Sequence, residues 1–172
     1  MKVSHRATGG WHRAAFTAAI VVLLAACSGT DDGNSGPAVG LGPPVTTISC
    51  PDCPAANVLN VIDGDTFDSS IGRVRFYGID TPERGEPCFK DATEAARRLL
   101  GSVVRLEDGP RRTDSFGRRL AYVYDASGNS VDVQMVADGY AKAWTRDGQH
   151  RDALVALEVS AESNGAGCLW GG

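Results

Sequence analysis

Nowhere in its 172 residues does the chain carry the ~20 consecutive apolar residues that a membrane-crossing helix needs. The nearest approach, Ala14 to Ala26, stops short of that span and follows Lys2, Arg6 and Arg13. A basic segment leading into a short apolar one is the pattern of an export signal. No Arg-Arg pair stands in the leading segment, so general secretory export is the expected route. Basic excess is missing too. Seventeen Lys and Arg stand against 21 Asp and Glu, and three of the cations but none of the acids precede Cys27, so without the first 26 residues the formal net charge moves from −4 to −7. So acidic a chain is excluded as a generic polyanion binder, and any nucleic-acid contact has to be a local cluster. A candidate cluster exists: Arg73, Arg75, Arg84, Arg97, Arg98, Arg105, Arg111, Arg112, Arg118 and Arg119 fall in the middle of the chain. Internal repeats are absent, and large apolar residues are scarce between Ser28 and Ala55.

These absences divide the chain in three. Residues 1–26 read as an export signal. The run ends in Leu24-Ala25-Ala26-Cys27, which resembles the bacterial lipobox, so Cys27 is the expected lipidation site. Residues 27–55, rich in Gly, Ser, Pro, Thr and Asp, cannot bury enough surface to offset the entropy of ordering and read as a tether. A flexible chain of that length reaches on the order of 30 Å. Residues 56–172 have the size of one compact domain. The expected location is the cell membrane, as a lipoprotein facing the extracellular or periplasmic side, with the domain acting as a monomer.

In an oxidising compartment Cys50, Cys53, Cys88 and Cys168 allow three pairings. We favour Cys88 with Cys168, tying the loop before the first helix to the C-terminus, and Cys50 with Cys53 locally. Cys50-Pro51-Asp52-Cys53 could instead be a redox motif, but it lacks the strand and helix context of a thioredoxin-like site. A four-cysteine zinc site would need a second close pair, and there is none.

Asn57 to Ile62 and Thr66 to Ile79 alternate apolar and polar residues around the turn signals Asp63-Gly64 and Ser70-Ile71-Gly72, as half-buried antiparallel strands do. Asp91 to Leu100 spaces Ala92, Ala95, Ala96, Leu99 and Leu100 as a helix would. Two more strands are expected at Val103 to Leu106 and Leu120 to Tyr124, separated by an Arg-rich loop. Helices are expected at Val131 to Ala137 and Arg151 to Ser163. The result is an α+β domain whose five short antiparallel strands suit an OB-fold barrel, with about three helices.

Three clusters carry possible chemistry, and each has a bland reading. In Asp63-Gly64-Asp65-Thr66, Asp-Gly is a hairpin turn signal, which leaves Asp65 unexplained. An EF-hand loop fails there, because Phe67 and Asp68 occupy its fifth and sixth places. The segment from Arg73 and Arg75 to Asp80-Thr81-Pro82-Glu83 could be a solvated strand edge followed by a helix-capping turn. Arg112-Thr113-Asp114-Ser115-Phe116-Gly117-Arg118-Arg119 could be a polar loop with solvated arginines.

Together, in this order and approximate spacing, the three clusters resemble the staphylococcal nuclease family from Asn57 to Trp170. The resemblance implies that Asp65, Asp80 and the main-chain carbonyl of Thr81 hold Ca2+, that Glu83 is the general base, and that Arg75 and Arg118 grip the phosphate. It assigns Asp63, Thr66 and Asp114 supporting roles, and implies endonucleolytic cutting of DNA and RNA to 3′-phosphate ends. The residue types suit that chemistry on their own terms. Carboxylates and a carbonyl are hard ligands for calcium, and forked, permanently charged guanidiniums stabilise a phosphoryl group that is gaining charge.

Two departures bear on substrate binding. Phe116 stands where family members have a phosphate-touching tyrosine, and no tyrosine follows Gly139-Tyr140-Ala141-Lys142 where a base-stacking one is expected. Trp144 and Tyr140 are the candidates to replace it, with core packing as the rival role for both. A binding module of another class, an OB-fold lipoprotein that holds nucleic acid without cutting it, would have no need of Glu83.

Overall fold

From Arg73 to Phe76 the side chains alternate, burying Val74 and Phe76 and leaving Arg73 and Arg75 on the outside of the barrel. The computed structural model describes residues 47–172. The export signal, Cys27 and most of the tether lie outside the described residues. In chain order come β1 (Ala55–Val61), β2 (Thr66–Ser69), β3 (Gly72–Phe76), β4 (Ile79–Asp80), α1 (Phe89–Leu100), β5 (Val103–Thr113), β6 (Arg119–Tyr124), α2 (Val131–Ala137), β7 (Lys142–Ala143), α3 (Arg151–Ser163) and the single turn α4 (Gly167–Trp170). Strands β1, β2, β3, β6 and β5, in that order, form a closed barrel, and β4 pairs with β7 beside it. This is the expected OB-type α+β architecture.

Its pairing is mixed where five antiparallel strands were expected: β3 and β6 run parallel, with Arg75 opposite Leu120 and Phe76 opposite Ala121. A parallel neighbour requires a long crossover, and α1 and β5 supply it. Strand β5 also runs on to Thr113, through what reads as an Arg-rich loop, with its register to β6 broken between Asp108 and Thr113. Pro110 lacks an N–H and marks the break. Gly109 allows the ring of Tyr77 to lie against the backbone, since a Cβ there would stand 2.5 Å from Tyr77 Cδ2.

Phe67, Val74 and Phe76 point inward and are fully buried, with the two phenyl rings edge to face at 5.9 Å. Truncating such a ring to alanine costs about 3–5 kcal/mol. Helix α1 covers the barrel with Ala92, Ala95, Ala96 and Leu100, all buried, the alanines allowing close approach. Helix α2 is capped by Ser130, whose hydroxyl accepts the Val133 N–H at 3.2 Å. The chain joins the barrel before Ala55: Ser49 bridges to Asn129, the Cys50 N–H donates to the Gly128 carbonyl at 2.9 Å, and Cys53 is buried and bonded to Cys50. Cys88, at the head of α1, is bonded to Cys168 in α4. Among the described residues no helix is long and apolar enough to cross a membrane.

Candidate active site

Register on the β2–β3 hairpin builds the site's floor. Arg75 is directly opposite Thr66, and Arg73 is opposite Asp68, so all four side chains share the outer face. Before β2, the Asp63 carboxylate accepts the N–H of Asp65 at 3.2 Å and closes a tight turn. Gly64 is required in that turn by a neighbour, because a Cβ would come within 2.7 Å of the Thr81 hydroxyl. Thr81 lies that close because its N–H and its hydroxyl both donate to Asp65 Oδ2, at 3.1 and 3.0 Å. Burial and the nearby Asp65 charge push the Asp63 carboxyl above its ordinary range.

Arg75 ties this floor to β4. Its Nη1 donates to the carbonyls of Phe76 and Ile79, both at 2.8 Å, and its Nη2 stands 2.7 Å from Asp80 Oδ1 and 3.2 Å from Asp65 Oδ2. Asp65 is 6% exposed and the Arg75 side chain 13%, whereas the Asp80 side chain is 57% exposed. The two carboxylates thus meet at one guanidinium nitrogen, one from within the protein and one from the solvent side.

Arg118 enters from the turn between β5 and β6. Asp114 accepts its main-chain N–H at 2.9 Å and its Nε–H at 2.6 Å, and Gly117 takes the left-handed conformation (φ 77°) that the turn requires. Burial raises the Asp114 carboxyl, but these bonds outweigh it and hold the group below its ordinary range. Arg118 Nη1 reaches the Thr66 hydroxyl at 3.4 Å, and that hydroxyl donates to Asp65 Oδ1 at 3.0 Å. A continuous chain of polar contacts therefore runs Asp114, Arg118, Thr66, Asp65, Arg75, Asp80.

Two clefts flank Arg118. One is lined by Arg75, Tyr77, Arg111, Arg118, Leu120 and Trp144. The other is lined by Asp68, Arg73, Glu83, Phe116 and Arg118. Glu83 sits on the exposed loop before α1. Glu86 accepts the Glu83 N–H at 2.8 Å, and the Glu83 carboxylate itself accepts no hydrogen bond from the described residues. The structure thus gathers Asp63, Asp65, Thr66, Arg75, Asp80, Thr81, Asp114 and Arg118 in one network, with Glu83 across a cleft from Arg118. Of the three aromatic candidates, Trp144 lines the first cleft and Phe116 the second, while Tyr140 packs half-buried against the core.

Asp147 could not be found from the sequence. It receives the Trp144 Nε1–H at 2.9 Å and both arms of the Arg111 guanidinium at 2.7 and 3.1 Å. Those bonds hold its carboxyl far below its ordinary range. Thirty-six residues separate Asp147 from Arg111, which also lies 5.3 Å over the Tyr77 ring, so only the folded chain reveals the clamp. Conversely, Arg105 of the sequence cluster is structural, its guanidinium spent on the carbonyls of Ala126 and Cys53.

Residues 73–171 match the family model described as staphylococcal nuclease homologue. The match begins at Arg73, so Asp65 and Thr66 join the site through their contacts alone. A thermonuclease of Staphylococcus hyicus is 34% identical over 97 residues, covering 50% of this chain and 57% of that protein. An SPbeta prophage-derived endonuclease, YokF, of Bacillus subtilis (strain 168) is 35% identical over 94 residues, covering 47% of this chain and 31% of its own length. The succinoglycan biosynthesis protein ExoI of Rhizobium meliloti (strain 1021) is 28% identical over 129 residues, covering 68% and 65%. The chain therefore spans between about a third and two thirds of the length of these relatives. With the matched segment reaching from β3 to α4, the chain belongs to the staphylococcal nuclease homologue family.

Proposed function

We propose that the protein is an exported, lipid-anchored endonuclease that uses calcium to hydrolyse phosphodiester bonds of DNA and RNA, leaving 3′-phosphate ends. The observation that carries this reading is the pair Arg75 and Arg118, joined through Asp65 and Thr66, with Glu83 on the cleft that Arg118 also lines. A phosphodiester under attack gains charge on its equatorial oxygens, and two positioned guanidiniums stabilise that charge more in the transition state than in the ground state. Asp114 fixes Arg118 through Nε, and the carbonyls of Phe76 and Ile79 fix Arg75 through Nη1, so little reorganisation is needed on binding. Glu83, exposed and without a described partner, is the group able to take the proton of the attacking water.

Asp65, Asp80 and the main-chain oxygen of Thr81 are the residues that would hold calcium. Among the described residues no three His, Cys, Asp or Glu stand together as a metal-binding group. Carboxylate and carbonyl oxygens are the hard donors that calcium takes, and one oxygen each of Asp65 and Asp80 already meets at a single cationic nitrogen, Arg75 Nη2. Bound there, the ion supplies positive charge opposite the phosphate and makes a bound water easier to deprotonate. Supercoiled plasmid incubated with the full chain and calcium should be nicked and then degraded, and a chelator should stop it. Intact plasmid in the presence of calcium would reject the reading. Anchoring through Cys27 is checked separately: cells fed labelled palmitate should label the chain but not its Cys27→Ala form, and an unlabelled parent chain removes the anchor from the proposal.

A further inference from the structure

Strand β4 has only two residues, yet it places Asp80 beside Arg75. Little of its own holds it: Ile79 pairs with Ala143 and Asp80 with Lys142. The segment is secured just upstream, at Gly78. The Gly78 carbonyl accepts the Trp144 N–H at 2.8 Å, and the Gly78 N–H donates to Asp132 Oδ1 at 3.2 Å, with no other acceptor among the described residues. Packing around it is tight, since a Cβ on Gly78 would stand 2.6 Å from Leu154 Cδ1, 2.8 Å from Tyr122 Cε1 and 2.9 Å from Asp132 Oδ1. Asp132 is 1% exposed, and its other oxygen accepts the Val123 N–H at 2.8 Å. A buried carboxylate serves both N–H groups well only while it is ionised. Once it is protonated, one oxygen carries the donor and is left a poor acceptor, and the longer bond, to Gly78, is the one to yield.

Resting on the nuclease reading above, we propose that Asp132 is a positioning residue of the active site: its ionised carboxylate fixes Gly78, and through Gly78 it holds the Ile79 carbonyl and the Asp80 carboxylate against Arg75. Asp80 is one of the two carboxylates that would hold calcium, so calcium affinity follows the charge on a residue that touches neither of them. Complete burial outweighs the main-chain N–H groups and Arg75 and pushes the Asp132 carboxyl up to about 7. The ionised form is the one that binds calcium, so affinity climbs as pH rises through that value and levels off above it. Arg75 of β3 and Tyr122 and Tyr124 of β6 are the charged and titratable groups that act on Asp132. Burial pushes Tyr122 up to about 12 and Tyr124 up as well, so neither titrates near neutrality. His150 and Glu107 meet Tyr124, one step removed. Helix α1 buries no titratable residue, and Glu158 of α3 is turned to the Ala143 N–H.

Two readouts test this without any cutting. In the full chain without calcium, the carboxyl carbon signal of Asp132 and the amide signals of Gly78, Ile79 and Asp80 should titrate together near the same midpoint in nuclear magnetic resonance, and those amide shifts should be missing from Asp132→Asn. Calcium binding, read by titration calorimetry, should weaken about fivefold when the Gly78 bond is lost. The parent's calcium affinity should therefore rise about threefold to fivefold from about pH 6 to about pH 8 relative to Asp132→Asn, which keeps whatever the raised Asp63 carboxyl contributes. Should Asp132→Asn fail to fold, the coincidence of the carboxyl and amide midpoints in the parent decides alone. Gly78 and Val123 signals that follow Asp132 while Ile79 and Asp80 stay still would make the carboxylate a brace of the core and overturn the proposal, as would parallel pH profiles of calcium affinity in the two chains. A parent chain whose Ile79 and Asp80 signals follow Asp132 but which leaves plasmid intact in calcium overturns the nuclease reading and leaves the positioning standing.

Discussion

On the proposed reading, Arg118 has to do two things that lysine cannot do together. Its Nε is bonded to Asp114 at 2.6 Å while Nη1 points along the cleft toward Thr66, so one flat cation is both anchored and presented. A lysine ammonium is a single point of charge and can satisfy either Asp114 or the phosphate. Arg118→Lys should therefore lower kcat by about a hundredfold or more, with a fall of only a few degrees in Tm from the weakened turn. Equal losses in kcat and folded fraction would show the side chain to be a brace alone. Glu83 gives the cleaner contrast, being exposed with its carboxylate free of described partners. Glu83→Gln should cut turnover by about 10²–10⁴-fold at unchanged Tm, as single-turnover kinetics and calorimetry can check together. The placing of both residues on one cleft was legible in the sequence because each sits in a short motif whose members are neighbours in the fold. The Asp147 clamp on Arg111 and Trp144 was not, since its partners come from distant parts of the chain and no local spacing joins them.

Helix α1 is where the Glu83 loop is secured to the rest of the fold. Cys88 precedes the helix with φ 71°, the only non-glycine residue among those described in the left-handed region, and its bond to Cys168 spans 80 residues. Closing a loop of that length removes unfolded-state entropy worth about 4.5 kcal/mol in the chain-entropy model. Replacing both cysteines with serine should lower the unfolding free energy by about that amount, and should raise amide exchange in residues 81–90 more than in the barrel. Uniform exchange across the domain would mean that the bond acts on global stability without steadying the Glu83 loop. The longer elements could be read from periodicity: α2 and α3 occupy the spans that their apolar spacing predicts, and β1, β2 and β3 follow the alternation and the Asp-Gly turn. Strand β5 outruns its apolar stretch to Thr113, which pairs with Arg119 beyond the break in register. The two-residue strands β4 and β7 have no pattern to detect, yet their pairing holds Asp80 beside Arg75.

Stability of the whole molecule against pH follows from two opposed sets of carboxylates. Burial raises Glu107, but bonds from Tyr124, His150 and Gln149 outweigh it and hold the group below its ordinary range. Asp114 and Asp125 are lowered in the same way, and Asp147 by Arg111 directly. Each such group binds its proton less tightly folded than unfolded, so its contribution is complete above the ordinary carboxylate value and is lost as pH falls through the lowered one. Asp132 has the opposite sign. Its Oδ1 accepts the Gly78 N–H at 3.2 Å and its Oδ2 the Val123 N–H at 2.8 Å, yet complete burial dominates and pushes the carboxyl up to about 7. The folded state holds that proton more tightly, so the contribution of Asp132 is complete in acid and is lost as pH rises from its ordinary 3.8 through about 7. Urea unfolding at a series of pH values should show a maximum near pH 5, a fall on the acid side, and a fall toward neutrality of at most about 1.4 kcal/mol per pH unit. Asp132→Asn can accept only one of the two N–H groups, so its stability should be lower throughout, but the fall toward neutrality should shrink to what the raised Asp63 carboxyl contributes. Glu107→Gln should soften the acid limb alone. If the neutral limb survives undiminished in Asp132→Asn, the proton is being lost elsewhere, and the buried carboxylate between Gly78 and Val123 is already ionised throughout that range.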